Sequence, residues 1–263
     1  MQERGSSTAV LTAPETWRKR ENLWLGLTLL VLTLVAWVYT IDQAQAMGSM
    51  AMEGMSQAAN LTLFLVSWAV MMAAMMLPAA LPLILLYRVV AHKRLSPKQA
   101  LAGMVVLLAA YLGIWTIAGL PVYVYSLAAM SRGAIMGFVP GLLLVGGGAY
   151  QFTVLKQGCH SRCSNPLFFL MQKWRPGLSG ALRLGVLHGI DCLGCCLGLM
   201  VALVGLGMMN VAWMLSAAVI IFIEKTLPWG HRVARPLGVL LVVGGLVLLA
   251  QSLRGSGGMG MPM

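Results

Sequence analysis

The sequence predicts an all-α protein, a polytopic bundle of about seven transmembrane helices. Hydrophobic residues make up 59% of the 263 residues and charged residues only 10%, whereas soluble domains carry about 25% charged residues. The mean hydropathy is +0.85. The apolar residues fall into seven runs, each long enough as a helix to cross all or most of a hydrocarbon core roughly 30 Å thick.

The seven segments follow one another along residues 22–253, the predicted transmembrane domain, and leave no soluble domain. Segment one is longer than the apolar core of a cleavable signal peptide, which has about 7–15 residues. We therefore expect this segment to be a membrane anchor. Segment four contains Gly146-Gly147-Gly148-Ala149, a small-residue run suited to close helix contact. The segments are Asn22–Ile41, Asn60–Tyr87, Gln99–Ser126, Ala134–Leu155, Ala181–Gly207, Val211–Leu227 and Pro236–Leu253.

The lysines and arginines predict how the bundle is oriented. With the polar tail of residues 1–21 in the cytoplasm, sixteen of the 18 basic residues lie on the cytoplasmic side, and only Arg132 and Arg254 lie outside. Cytoplasmic loops carry the excess of positive charge, so we expect the tail of residues 254–263 outside a bacterial inner membrane. The net charge of +11 does not indicate a nucleic-acid partner, because the basic residues fall in short loops.

Segment five contains a concentration of groups that can bind a metal ion. Positions three and four apart share one face of a helix, and six such residues fall close to one side of this segment. They are His188, Asp191, Cys192, Cys195, Cys196 and Met200. Ionisable groups in hydrocarbon usually mark a site or a pathway. The alternative is that the cysteines are small hydrophobic residues that pack one helix against another.

Two further cysteines, Cys159 and Cys163, lie in the connection from Lys156 to Gly180. Their spacing allows one helical face or a loop clamp, and we expect them either to join the cysteines of segment five or to form the next station. Lys156 and Arg162 lie nearby and favour the thiolate form of these cysteines. Asp191 has an alternative role as a proton acceptor or as the partner of a basic side chain. Glu224 has a structural alternative, pairing with Lys225 or Arg183.

Methionine is unusually frequent, with 20 residues in the chain. Seven methionines lie in the predicted outer loop and tail, where the side chain has little to pack against. They are Met47, Met50, Met52, Met55, Met259, Met261 and Met263. Segment two places Met72, Met75 and Met76 on one face, although methionine also fills irregular gaps in ordinary packing.

Thioether and thiolate ligands together select soft ions, above all Cu(I). Thioethers suit capture on the oxidising outer side, and thiolates suit the reducing inner side. Zinc is the lesser possibility, because it accepts cysteine and histidine but not methionine. The sequence therefore predicts Cu(I) as the bound ion, with its ligands divided between the two sides of the membrane.

Several motifs between residues 60 and 230 resemble those of a known family. They are Trp68-x-x-Met71-Met72-x-Ala74-Met75-Met76-x-Pro78, Tyr150-Gln151-x-x-x-Leu155-Lys156-x-x-Cys159-x-x-x-Cys163-x-x-Pro166, Gly189-x-x-Cys192-x-Gly194-Cys195-Cys196-x-x-Leu199-Met200, Trp213-Met214 and Glu224-Lys225. This pattern resembles a bacterial domain-of-unknown-function family described as predicted metal-binding integral membrane proteins. The resemblance implies metal binding without naming the metal. Leu197 departs from the pattern, since many members carry tryptophan at that position.

The leading functional interpretation is a membrane protein that takes up, transfers or delivers copper. Its partners would be the lipid bilayer, the metal ion, and a copper chaperone or copper-dependent membrane complex. No Gly-x-x-x-x-Gly-Lys-Ser/Thr motif is present in the sequence. One alternative is a membrane thiol-disulfide oxidoreductase that uses Cys192-x-x-Cys195 with a quinone. Another is an accessory subunit of a larger membrane complex. We favour copper handling over catalysis.

Overall fold

The structure is a computed structural model that describes residues 15–49, 60–131, 138–207, 210–227 and 230–257. Within these ranges every regular element is a helix, which confirms the predicted all-α class. The ten helices, numbered in chain order, are α1 (Glu15–Ser49), α2 (Leu61–Arg94), α3 (Pro97–Ile117), α4 (Gly119–Ser131), α5 (Val139–Tyr150), α6 (Val154–Cys163), α7 (Pro166–Lys173), α8 (Gly177–Leu206), α9 (Val211–Thr226) and α10 (His231–Gly257).

Several helices begin at polar residues that cap their free N–H groups. The Asn60 side chain accepts hydrogen bonds from the backbone at the start of α2, and Asn210 does the same at the start of α9. Ser96 and Gln99 form a reciprocal capping box at α3. Such caps contribute about 1 kcal/mol each. They explain why the long apolar regions divide at these positions.

Five stretches are long and apolar enough to cross a membrane, and they correspond to predicted segments one, two, three, five and seven. They are Gly26–Gln45, Leu61–Arg94, Pro97–Ala128, Gly177–Leu206 and Arg232–Arg254. Segments four and six form shorter helices, α5 with 12 residues and α9 with 16. At about 1.5 Å per residue these two extend only about 18 and 24 Å.

Two regions are more helical than the sequence predicted. The connection from Lys156 to Gly180 folds into α6 and α7. Helix α1 extends beyond segment one at both ends, into the end of the polar tail and the start of the outer loop. In both regions the helix includes polar residues that a prediction from hydrophobicity leaves in a loop.

Helix α8 contacts α3, α5, α6 and α9 and is therefore central to the bundle. Glycines permit its closest approaches. A Cβ atom on Gly147 of α5 would collide with the Gly198 carbonyl oxygen of α8, and one on Gly148 would lie 2.8 Å from the Gly238 carbonyl oxygen of α10. These contacts confirm the predicted role of the small-residue run in segment four. They also place α5 between two of the long apolar helices.

The outer surfaces of the long helices are apolar. In α1 the exposed residues Leu30, Leu34 and Val38 recur every four positions, and in α10 Leu240, Val243 and Val247 are exposed. A continuous apolar surface of this kind is rare on a soluble monomer. Together with the five long apolar helices, it is compatible with a membrane protein.

Candidate metal-binding site

Five free cysteines are buried where α6 lies against α8. The Cys192 side chain is completely buried, and Cys195 and Cys196 are each 2% exposed. The Cys195 and Cys196 sulfurs are 3.5 Å apart. From α6, the buried Cys163 thiol interacts with Cys192 and Cys195 of α8. We call Cys163, Cys192, Cys195 and Cys196 the four-thiol cluster.

The hydrogen bond to Cys192 is the main reason that the pKa of the Cys163 thiol is raised to about 12. The Cys195 thiol donates to the Cys192 carbonyl oxygen at 3.1 Å. Cys192 is therefore the residue of the cluster that both Cys163 and Cys195 contact.

Lys225 of α9 supplies a positive charge to the same sulfur. Its Nζ lies 2.7 Å from Cys192 Sγ, and the Tyr111 hydroxyl of α3 lies 3.1 Å from that sulfur. Lys225 is itself buried. A buried charge is costly unless it is paired, and Cys192 is the sulfur that pairs with it. From the sequence, Lys225 was predicted as a partner for Glu224 and as part of the motif Glu224-Lys225, but not as the partner of a thiol. Its position at the end of an apolar segment was the signal that could have indicated a site.

Glu224 pairs with Lys156 of α6, and neither Lys225 nor Arg183 fills the predicted partner role. Lys156 Nζ lies 3.0 Å from Glu224 Oε2, and both side chains are only 4% exposed. Lys156 Nζ also donates to the side-chain amide oxygen Oε1 of Gln151. Neighbouring residues on a helix point in different directions, so Glu224 and Lys225 reach separate partners. Because Lys156 bonds to a carboxylate and an amide, it is not the thiolate-stabilising cation that the sequence suggested.

His188 lies at the edge of the cluster. Its ring stacks on Tyr111, with ring centroids 5.5 Å apart, and the tilted Phe169 ring lies at the same centroid distance. It interacts electrostatically with Cys192 and Lys225. Its Nδ1 atom is buried and has no hydrogen-bond partner. A buried unpaired ring nitrogen of this kind is available to a metal ion.

The methionines of segment two lie in the same buried core as the cysteines. Met72, Met75 and Met76 are at most 2% exposed, and they form one core cluster with the cysteines and Met200. The Tyr111 hydroxyl, which contacts Cys192, also donates to the Met76 carbonyl oxygen at 3.5 Å. Tyr111 of α3 therefore links α2 to the four-thiol cluster.

Two predicted site residues, Asp191 and Cys159, both contact Arg162 of α6. Asp191 forms an ion pair with Arg162 at 3.0 Å, which is the alternative role that the sequence left open for it. Cys159 lies over Gly194, where an added Cβ atom would be 2.6 Å from its sulfur. Arg162 contacts the Cys159 sulfur at 3.7 Å. Cys159 is therefore buried beside the cluster without being joined to it.

The predicted outer methionines lie almost entirely outside the described residues. Of Met47, only the backbone in α1 is described. The others lie outside the described residues, namely Met50, Met52, Met55, Met259, Met261 and Met263.

Among the described residues, no three His, Cys, Asp or Glu side chains are already arranged to hold a metal ion. The four-thiol cluster instead forms hydrogen bonds within itself and to Lys225 and Tyr111. An incoming ion has to replace these bonds, for example the one from Cys195 to the Cys192 carbonyl oxygen. The donor set, four sulfurs with a free imidazole nitrogen beside them, has the chemistry that soft ions prefer.

The family described as PpoB2, copper chaperone, matches residues 65–248. The match covers more than half of the chain. The chain belongs to this copper chaperone family. Neither the search of curated proteins nor the search of solved structures gave a significant match.

The copper chaperone match includes every residue of the four-thiol cluster, as well as Lys225 and the methionines of α2. It supports the prediction of copper handling at the level of the family. It begins after α1 and the predicted outer loop and ends before the C-terminal tail, so the seven predicted outer methionines lie outside it.

Proposed function

We propose that this copper chaperone is an integral membrane protein that binds Cu(I) as its cargo at the four-thiol cluster. The observation that carries the proposal is the gathering of four buried free thiols around Cys192, with Lys225 Nζ 2.7 Å from its sulfur. Thiolates are the ligands that Cu(I) prefers. The ligands would come from Cys163, Cys192, Cys195 and Cys196, with the unpaired nitrogen of His188 adjacent.

Charge balance favours a monovalent ion at this site. Two thiolates and one Cu(I) carry a net charge of −1, and the buried ammonium of Lys225 brings the total to zero. Two thiolates with a divalent ion are already neutral, so Lys225 would then be an uncompensated buried charge, which is costly. For an ion held by two thiolates, the charge of Lys225 thus supports Cu(I) over zinc.

The methionines supply a route from outside to the cluster. Met47, Met50, Met52 and Met55, with the tail methionines, would capture Cu(I). Met72, Met75 and Met76 of α2 would pass it towards Cys192, because α2 meets the cluster at Tyr111. Transfer along similar sulfur ligands needs sites that release as well as bind. The copper would then reach a copper-dependent membrane complex or another chaperone.

Seven spans in a bacterial inner membrane, with the N-terminus inside, fit the charges best. If α5 and α9 did not cross, the basic residues Lys156, Arg162, Lys173 and Arg175 would lie outside, against the positive-inside rule. The packing of α5 between α8 and α10 supports a position for it within the bundle. In this arrangement the cysteines lie nearer the reducing side of the membrane.

The test is the copper content of the full chain purified without oxygen, measured by elemental analysis. We expect about one copper per chain in the parent. Cys163→Ser removes a cluster sulfur, and Cys159→Ser is its matched control on the same helix, since both cysteines are buried. Cys163→Ser is expected to lose most of the copper, and Cys159→Ser to retain it.

Three outcomes would overturn the proposal. Equal copper content in the two serine variants would show that the cluster is not the ligand set. Stoichiometric zinc in place of copper would contradict the charge argument for Cu(I). A reducible disulfide between Cys192 and Cys195 in protein that binds no copper would favour the thiol oxidoreductase.

A further inference from the structure

One side of α6 is polar and exposed. Four polar or small residues follow one another at three- and four-residue spacing, so they share one side of this helix. All four are exposed, and we call them the polar face of α6, namely Gln157, Gly158, Ser161 and Arg162. The opposite side, which carries the two cysteines of this helix, is buried against α8. A Cβ atom added to Gly158 would meet no described atom within 4 Å.

The polar face lies at the level of the hydrocarbon core. Cys159, on the buried side of α6, lies over Gly194, which is near the middle of the 30-residue helix α8. The exposed arginine of α8, Arg183, is eleven residues from Gly194, or about 16 Å along the helix. Ile190 and Leu197 of α8, on either side of that level, are exposed and apolar, as a surface that faces lipid requires.

Lipid is the wrong environment for a polar face at this depth. An amide or a guanidinium against acyl chains is costly, and such groups usually face protein or a water-filled cavity. In the described part of the chain, α6 packs mainly on α8 and α7, and no helix covers its polar face. Water is therefore the environment that fits these side chains.

Charged groups lead from the polar face towards the cytoplasmic end of α8. Arg162, with a side chain that is 56% exposed, pairs with Asp191 of α8 at 3.0 Å. Asp191 also interacts electrostatically with Lys173, the last residue of α7. The chain then passes Arg175, whose carbonyl oxygen would collide with a Cβ atom on Gly180 near the start of α8. We call Arg162, Asp191 and Lys173 the polar track.

We propose that water from the cytoplasm follows the polar track as far as the polar face of α6, and that copper leaves the protein along it towards the cytoplasm. Arg162 connects the track to the thiols, because it contacts the Cys159 sulfur at 3.7 Å, and Cys159 lies beside the four-thiol cluster. The break between α5 and α6 makes this path possible. Interrupted membrane helices line binding sites and their access paths in many transporters.

Release along this path needs no change in the oxidation state of copper. One Cu(I)–sulfur bond to the cluster breaks as a Cu(I)–sulfur bond to a small cytoplasmic thiol forms. The proton that this thiol gives up passes through the water of the track to the freed cluster sulfur. The inference rests on the proposed membrane arrangement and on copper as the cargo, and it adds the direction of delivery.

The first test is labelling with a membrane-impermeant maleimide in inverted vesicles, which expose the cytoplasmic side. Ser161→Cys places a thiol on the polar face, and Leu34→Cys places one on the exposed apolar surface of α1. The parent gives the background, since its five cysteines are buried. Maleimide reacts with the thiolate, which needs water, so we expect Ser161→Cys to react at least about tenfold faster than Leu34→Cys. In right-side-out vesicles Ser161→Cys is expected to stay unlabelled.

The second test is the rate at which copper passes from loaded protein to a small thiol added to inverted vesicles. Ser161 is exposed, so Ser161→Trp can obstruct the path while the fold is kept, and it is expected to slow release about tenfold. Leu34→Trp is the matched control and is expected to release copper like the parent. Both variants are expected to keep the copper content of the parent, because neither replaces a ligand.

Four results would overturn the proposal. They are equal labelling rates for Ser161→Cys and Leu34→Cys, labelling of Ser161→Cys from the outer side, cross-linking of Ser161→Cys to a second copy in place of labelling, and unchanged release from Ser161→Trp. Labelling does not depend on copper. Failure of the water path is therefore distinguishable from failure of the copper site, which the copper content of the parent reports.

Discussion

Breaking the buried ion pair between Lys156 and Glu224 is expected to destabilise the protein strongly. The two side chains are each 4% exposed, and their nearest charged atoms are 3.0 Å apart. At an effective dielectric constant of about 20, opposite charges about 4 Å apart attract by about 4 kcal/mol. Removing one partner of a buried pair typically costs about 3–5 kcal/mol, because the other charge stays buried without compensation. We therefore expect Glu224→Gln and Lys156→Met each to lower the free energy of unfolding by about that amount.

A double-mutant cycle measures this coupling. In Lys156→Met/Glu224→Gln neither charge remains, so the double variant is expected to lose about 3 kcal/mol less than the sum of the two single losses. Unfolding in detergent micelles, followed by tryptophan fluorescence, gives the four free energies. The matched control is the Arg162–Asp191 pair, which has the same 3.0 Å separation but an arginine that is 56% exposed. Its coupling is expected to be below about 1 kcal/mol.

The same cycle also reports on the site. Lys156 lies on the helix that carries Cys163, and Glu224 lies beside Lys225. The pair therefore holds together the two helices that bring these residues to Cys192, and we expect the single variants to bind copper more weakly as well. Additive losses in the cycle, or a Glu224→Gln loss below about 1 kcal/mol, would refute this reasoning.

Three further predictions concern the membrane arrangement and the copper path. A reporter that is active only outside the cytoplasm, inserted at Asn165, is expected to be inactive; activity there would show that segment four does not cross. Lys225→Met is expected to weaken Cu(I) binding about tenfold in a competition assay. The copper-bound site loses a countercharge worth about 4 kcal/mol. The metal-free site loses the hydrogen bond from Lys225 to Cys192, worth about 1.5–3 kcal/mol, and this partly offsets the first loss. Unchanged or tighter binding would contradict the charge argument. Replacing the four methionines of the outer loop with leucine is expected to reduce copper loading only at low copper, with folding kept; identical copper dependence would exclude that loop from capture. These four are Met47, Met50, Met52 and Met55.

The sequence predicted well the features that depend on helix geometry alone. His188, Cys192 and Cys195 recur at three- and four-residue spacing, and in the structure all three side chains of α8 are buried. Helical periodicity is local, so it needs no knowledge of the neighbouring helices. The small residues of segment four are another example, since Gly147 requires only that some backbone come close.

The partners across helices could not be predicted in this way. Cys192 and Lys225 are 33 positions apart, and Lys156 and Glu224 are 68 positions apart. No rule of spacing links such positions. Asp191 illustrates the same limit, since it adjoins Cys192 in sequence but its carboxylate reaches Arg162 on α6. Which charges pair depends on how the helices pack, and the sequence alone left those alternatives open.

The end of segment four was misplaced for a reason that also explains the site. The apolar run continues to Leu155, but α5 ends at Tyr150, and the Thr153 side chain caps a new helix. Gln151 lies in the turn between them and accepts a hydrogen bond from Lys156. Hydrophobicity does not record such a break, because Val154 and Leu155 after it are as apolar as the residues before it.

This break is what brings Cys163 to the cluster. Helix α5 runs antiparallel to α8, with Gly147 opposite Gly198, and the Tyr150 hydroxyl donates to the Gly194 carbonyl oxygen. A straight continuation would place Cys163 opposite Leu182, ten residues and about 15 Å from Cys192 along α8. After the turn, Cys159 instead lies over Gly194 and Cys163 reaches Cys192. The shortness of α5 and the completion of the four-thiol cluster are therefore two consequences of one interruption in an apolar segment.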